Sequence, residues 1–304
     1  MENLYKKSVI EKLKLSVKRF GQKTLDVKIV LILFFLFFLT NAIICFYPFV
    51  WIFNNSLKGS AEYVSSMAIT KEWQFINYLN VFEEFITEGG GRAVNYWEML
   101  WHSAWQTVVY LFVNIGTSVL VAYALAKFRF PGQNLLYALL IFTQTIPIIG
   151  TGAAMFKLKH ALGMINNPYT IWLQWAHGFD YSAFILYGIF KSISNSYSES
   201  AKIDGASDLN VFLRIVLPQA MPTITALLIT NFVTKWNDYA TTQTSLWEYP
   251  NLAYGLFTYR KDATYVGPEI YYAAIIIVSL PGILLYAFFQ NVVVKNLSVG
   301  GLKG

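Results

Sequence analysis

The sequence predicts an all-α, polytopic membrane protein with six transmembrane helices. Three observations carry that reading. Of its 304 residues, 56% are hydrophobic and only 13% are charged, against about 25% charged in an ordinary soluble domain. The apolar residues come in runs long enough for the roughly 20 helical residues that a hydrocarbon core demands. Turn-forming residues divide the runs, and their length excludes barrel strands of about 10 residues.

Residues 1–28 are expected to form a basic cytoplasmic N-terminus, with Lys6, Lys7, Lys12, Lys14, Lys18, Arg19, Lys23 and Lys28 offset only by Glu2, Glu11 and Asp26. The first transmembrane helix follows at 29–53, since Val30 to Phe53 contains no charged side chain. A cleavable signal has an apolar core of about 7 to 15 residues and a small-residue cleavage site. This run is longer and ends in Trp-Ile-Phe-Asn-Asn, which reads as an uncleaved span. The single cysteine, Cys45, lies inside it, which excludes an intrachain disulfide and a cysteine-based metal site.

Residues 54–98 combine Glu83-Glu84, Gly89-Gly90-Gly91 and aromatic side chains. The segment is too polar to span and too aromatic for a plain disordered linker, so a small ordered extracytoplasmic loop is expected. Residues 99–294 then form a five-helix core, with spans near 103–126, 134–156, 169–190, 219–240 and 270–294, and 295–304 is a cytoplasmic tail. Phe130-Pro131-Gly132, Asn166-Asn167-Pro168 and Gly267-Pro268 separate spans. Pro147 and Pro281-Gly282 are expected kinks, useful for alternating access or as static packing features.

The net charge of +6 suggests nucleic acid until its distribution is considered. With the N-terminus inside, fifteen basic residues fall on the cytoplasmic side and seven outside, which satisfies the positive-inside rule and makes membrane lipid, not nucleic acid, the partner. Lys157 and Lys159 run against this scheme, because they crowd one outer loop without a nearby carboxylate. All nine tryptophans fall on the outer half, as an aromatic belt or as surfaces for a partner docking outside.

The inner loop at 191–218 carries the most specific signal. Gly205 can take the positive φ that closes a short helix, Ser198 to Asp204, and Ser207 can cap a second helix. Leu209, Phe212, Leu213 and Val216 follow at steps of three and four, predicting one apolar face beneath the bundle, and Pro218 is expected to reset the chain into the fifth span. The short helix should protrude as a rigid knob.

At these residues the sequence resembles the cytoplasmic loop of ATP-binding-cassette (ABC) importer permeases. That pattern runs Glu-Ala-Ala, three residues, Gly, nine residues, Ile, two residues, Pro, and Glu199, Ala201, Gly205, Ile215 and Pro218 fall at its spacings. Ser200 replaces the middle alanine, and Ser194 stands where many relatives have proline. Asp204 to Ser207, Phe212 and the glycine-rich ending Val294 to Gly304 are similar to the carbohydrate-importing branch, especially its maltose-type second permease. The resemblance covers about residues 100–304.

It implies a type I ABC importer permease-like bundle in a bacterial cytoplasmic membrane, with both termini cytoplasmic. Glu199, Ser200, Ala201, Lys202, Ile203, Asp204, Gly205, Ala206, Phe212, Ile215 and Pro218 would couple it to an ATPase. The implied partners are ABC ATPase subunits, a second and different permease, and an extracytoplasmic solute-binding protein. The chain itself takes no cofactor; ATP and Mg would be bound by the ATPase, and no phosphate-cradling glycine loop is present here.

The expected substrate path draws on His177, Asp180, Tyr181, Lys235, Trp236, Asn237, Asp238 and Tyr239. Charges within spans usually line a polar route, though an ion pair holding spans four and five together reads equally well. The run His177 to Ser182 interrupts its apolar surroundings and predicts a break. Trp236 and Tyr239 would face a sugar while Asn237 and Asp238 bond its hydroxyls. Asn231 and Gln243 belong either to that route or to helix packing. An ion-coupled secondary transporter using Asp180, Lys235 and Asp238 is the alternative. A membrane enzyme is disfavoured by one Cys and three scattered His, residues 102, 160 and 177.

Overall fold

The computed structural model describes residues 23–146, 150–259 and 267–298, with side chains to 291 in the last stretch. Pro147, Arg260, Lys261, the basic residues before Lys23 and the end of the glycine-rich tail lie outside the described residues. The chain divides into two compact units, residues 1–55 and 56–304.

In the first unit, helix α1 (Leu25–Ser56) carries an uncharged, largely apolar surface on all sides once past Asp26 and Lys28 in its first turn. Residues 29–50 are all exposed, as suits a helix solvated by lipid.

The second unit begins with α2 (Ser60–Ser65) and α3 (Ile76–Glu84), which order the expected loop. Asn77 Nδ2 donates to the Ser56 and Lys58 carbonyls at 2.9 and 2.8 Å. The buried Lys58 ammonium bonds the Ser66 carbonyl at 2.7 Å. A hydrogen bond from the Thr70 hydroxyl holds the Glu62 carboxyl below its ordinary pKa.

Next comes a departure from an all-helical chain. Strands β1 (Thr87–Gly89) and β2 (Arg92–Val94) pair antiparallel, with Thr87 opposite Val94. Gly90 and Gly91 take φ of +61° and +81°, the left-handed pair a two-residue hairpin turn requires.

The remaining elements are α4 (Tyr96–Lys127), α5 (Gln133–Thr145), α6 (Gly152–Ala161), a 3-10 turn (Ile171–Trp175), α7 (Tyr181–Ser192), α8 (Asn195–Ile203), α9 (Asp208–Val211), a π-turn (Phe212–Val216), α10 (Leu217–Trp236), α11 (Ala240–Ser245), α12 (Leu252–Tyr259) and α13 (Pro268–Ser298). Among the described residues, four helices are long and apolar enough to cross a membrane: α1, α4, α13 and the continuous run Asp208–Trp236. The other two expected spans are each interrupted. The stretch 134–156 contains α5 and the start of α6; 169–190 contains the 3-10 turn and α7. Helices of 13 and 12 residues reach only about 20 Å.

Helix α4 packs chiefly on α7, and α10 on α13 and α4. Small residues permit the approach: Ser118 and Ala122 on α4, Ala183 on α7, Ala220 on α10, Ala273 and Ala274 on α13, all buried. One core, at the hairpin end, joins Phe85, Met99, Trp236, Leu252, Tyr259 and Val278. The other, at the end carrying the 191–218 loop, joins Val119, Phe190, Val211, Phe212, Val216 and Leu227.

Pro218 does not redirect the chain as expected. It sits in the first turn of α10, and the helix runs on through it from Asp208. The preceding π-turn explains how: the Leu217 amide bonds the Phe212 carbonyl, five residues back, and this wider turn accommodates a proline that has no amide to donate.

Candidate functional site

The loop ending α7 is built as helix, turn, helix. Lys127, at the end of α4, donates to the Ile193 carbonyl at 2.5 Å and to Asn195 Oδ1 at 2.9 Å, tying the exit of α7 to the start of α8. Ser194 caps α8, accepting from the Ser196 amide at 3.2 Å, which explains how a serine serves at that position. At the far end Gly205 has φ +85°. Its amide bonds the Lys202 carbonyl at 3.0 Å, and the Ala206 amide bonds the Ala201 carbonyl at 2.9 Å. This paired closure is a Schellman motif, which needs a residue free of Cβ crowding at the left-handed position.

Ala201 and Ala206 pack on the core below. Ser207 accepts from the Asn210 amide at 3.4 Å and caps α9 as expected. An ion pair from Lys202 Nζ to Asp208 Oδ1, 2.6 Å, bridges the two helices and raises the lysine pKa.

Glu199, Ser200, Lys202, Ile203, Asp204 and Gly205 are all exposed, Ile203 at 87%. Below them Phe212 is buried and Ile215 half-buried. The expected apolar face is partly corrected. Leu209 and Leu213 are exposed, and the buried set is Val211, Phe212, Val216 and Ala220. The π-turn causes this, because its longer period carries the inward positions to steps of four and five.

At the opposite end, the break at His177 to Ser182 is present. Gly178 has φ +60°, and a Cβ there would lie 2.8 Å from Val121 Cγ2 and 3.1 Å from the Thr117 carbonyl. Asp180 is not inside a helix. It caps α7, accepting from the Ala183 amide at 2.9 Å, from Ser118 Oγ at 2.8 Å and from Asn114 Nδ2 at 2.9 Å. Its charge therefore fastens α7 to α4. Asn231 plays a similar part, accepting from the Tyr110 hydroxyl at 3.1 Å and donating to Ser182 Oγ at 3.2 Å.

Lys235 lies in the last turn of α10, and Asp238 and Tyr239 lie beyond that helix. The Lys235 ammonium is buried, 2.6 Å from Asp238 Oδ2, and sits 4.6 Å from the centre of the Trp175 ring. Asp238 also receives the Thr241 amide at 3.0 Å. A cavity of about 380 Å³ opens here, lined by Tyr110, Met155, Lys159, Gln174, Trp175, His177, Thr234, Lys235, Asp238 and Thr241. Sequence reasoning named His177, Lys235 and Asp238 among these. It missed Lys159 and Gln174, although the unpaired outer lysine was itself a signal.

Trp236 does not present a face to solvent. It is buried, its indole nitrogen donating to the Val278 carbonyl at 2.9 Å and its ring stacked on Phe232. Asn237 donates to the Val233 carbonyl at 2.8 Å. Tyr239 stacks on Phe257 with centroids 4.3 Å apart. Tyr181 and Gln243 are exposed outside the cavity lining.

Residues 114–299, which include both regions, match the family described as the inner membrane component of binding-protein-dependent transport systems. The chain belongs to that family. As a membrane component of a transport system it is not an enzyme. It is 28% identical to a diacetylchitobiose uptake system permease protein of Streptomyces coelicolor, over 86% of this chain and 85% of the relative. It is 29% identical to a galactooligosaccharides transport system permease protein of Bacillus subtilis, over 86% and 92%. A trehalose/maltose transport system permease protein of Thermococcus litoralis is 25% identical over 86% and 93%. Among solved structures, a chain of a bacterial ABC transporter involved in import of the acidic polysaccharide alginate superposes with a TM-score of 0.74, at 22% identity over 88% of this chain and 98% of that one. The bundle is thus of the ABC importer permease fold.

Proposed function

We propose that this chain is one permease half of an ATP-driven, binding-protein-dependent importer for a sugar or oligosaccharide. Six spans cross a bacterial cytoplasmic membrane with both termini inside, the third and fourth as broken helices. Irregular backbone at membrane depth is tolerated where it lines a cavity or is buried in protein, and the second break, at Gly178, borders the cavity of His177 and Lys235. A second, different permease supplies the other half of the pathway, and a solute-binding protein docks outside.

The observation that carries this reading is the knob at 195–205: a closed, capped helix whose tip side chains are exposed, with Lys202 alone among them ion-paired, to Asp208, among the described residues. Glu199, Ser200, Lys202, Ile203, Asp204 and Gly205 meet a cleft of the ATPase, which binds ATP and Mg. Ala201, Ala206, Phe212 and Ile215 anchor the knob to the bundle, and Pro218 follows, exposed, in the first turn of α10, so that nucleotide-driven movement biases both sites together. The cargo class rests on the relatives, whose names cover chito-, galacto- and malto-type saccharides.

The ion-coupled alternative loses its support, because Asp180 is committed to a helix cap apart from the Lys235–Asp238 pair. Copurification from native membranes tests the proposal. Glu199→Lys and Gly205→Pro insert normally but lose the ATPase, proline being unable to take φ +85°. Normal recovery of the ATPase with both variants overturns it.

A further inference from the structure

The cavity beside the Lys235–Asp238 pair holds two ammonium groups and one carboxylate among its lining side chains, with His177 as a further titratable group. Asp238 is 2.6 Å from Lys235 and satisfied further by Thr241. Lys159 reaches the same cavity from α6 and, among the described residues, bonds only the neutral Ser245 hydroxyl, at 3.1 Å. That leaves one positive charge without a carboxylate of its own. Gln174 adds a second feature: its Oε1 is buried without a hydrogen-bond partner while its side chain lines the cavity. A buried acceptor left unmet is destabilising unless a donor arrives.

Resting on the saccharide reading above, we propose that this cavity selects an acidic saccharide, binding a uronate carboxylate at Lys159 and a sugar hydroxyl at Gln174 Oε1. A carboxylate fits better than a phosphate, because a doubly charged group is usually met by several cations or a row of amides, and here one ammonium without a directly paired carboxylate faces the space. The proposal also explains why a lysine stands on the outer side against the charge rule: it serves cargo and not orientation.

The test uses the assembled transporter, with its second permease, ATPase and receptor, reconstituted in vesicles and offered a galacturonic acid trisaccharide or the neutral galactose trisaccharide. Wild type takes up the acidic probe preferentially. Lys159→Gln lowers acidic uptake about tenfold, the loss of one charge-assisted contact, lowers neutral uptake far less, and still copurifies with its ATPase; Lys159→Arg restores acidic uptake. Equal loss on both probes, no loss on the acidic one, or uptake of the neutral probe alone overturns this inference and leaves the saccharide importer standing. Uptake of neither probe by an intact complex overturns both.

Discussion

The knob at 195–205 and the polar break at 177–182 look alike in sequence, each a charged, glycine-bearing interruption between apolar runs, yet the structure employs their side chains in opposite ways. Around the break, Asp180 meets three donors and Asn231 ties α4 to α7. On the knob the backbone is closed internally while most charged and apolar tips face outward. A polar group whose hydrogen bonds are all made within the chain is holding helices. One whose backbone is fixed but whose side chain is idle is kept for something else.

Substitutions can break or sharpen that contrast. The largest effect is expected at the break. Asp180→Ala removes a helix cap and strands Asn114 and Ser118, destabilising the protein by about 3–4 kcal/mol, whereas Asp180→Asn, still able to cap, costs less. Thermal melting of the purified protein measures both, and a silent Asp180→Ala would erase the distinction. Next comes Gly178→Ala, which forces a Cβ into a left-handed backbone and against Val121, at about 2–3 kcal/mol in the same assay. The smallest is Ile203→Asp on the knob, within about 0.5 kcal/mol of wild type while ATPase recovery falls. A large loss of stability there would mean that the tip has intramolecular work after all.

Legibility followed the range of the interactions. Gly205 and Ser207 were readable because left-handed closure and hydroxyl capping involve only residues a few positions apart. The hairpin was signalled too, by Gly90-Gly91 between short runs, but an all-helical expectation for a membrane chain hid it. Leu209 and Leu213 were misplaced because a regular helical period was applied across a stretch that widens to a π-turn ahead of Pro218. Trp236 was expected to face a sugar, and its burial went unseen because its partner, the Val278 carbonyl, is 42 residues away.

By itself the sequence determined that apolar runs enter lipid, where the chain turns between them, and that a capped knob stands between α7 and α10. These follow from transfer energies and local backbone sterics, which neighbours in the chain fix. Only the tertiary structure decided that Asp180 fastens helices while Lys159, from another element, completes a cavity with Lys235 and Gln174. Whether a polar group is satisfied or left facing empty space depends on partners that folding brings from distant positions.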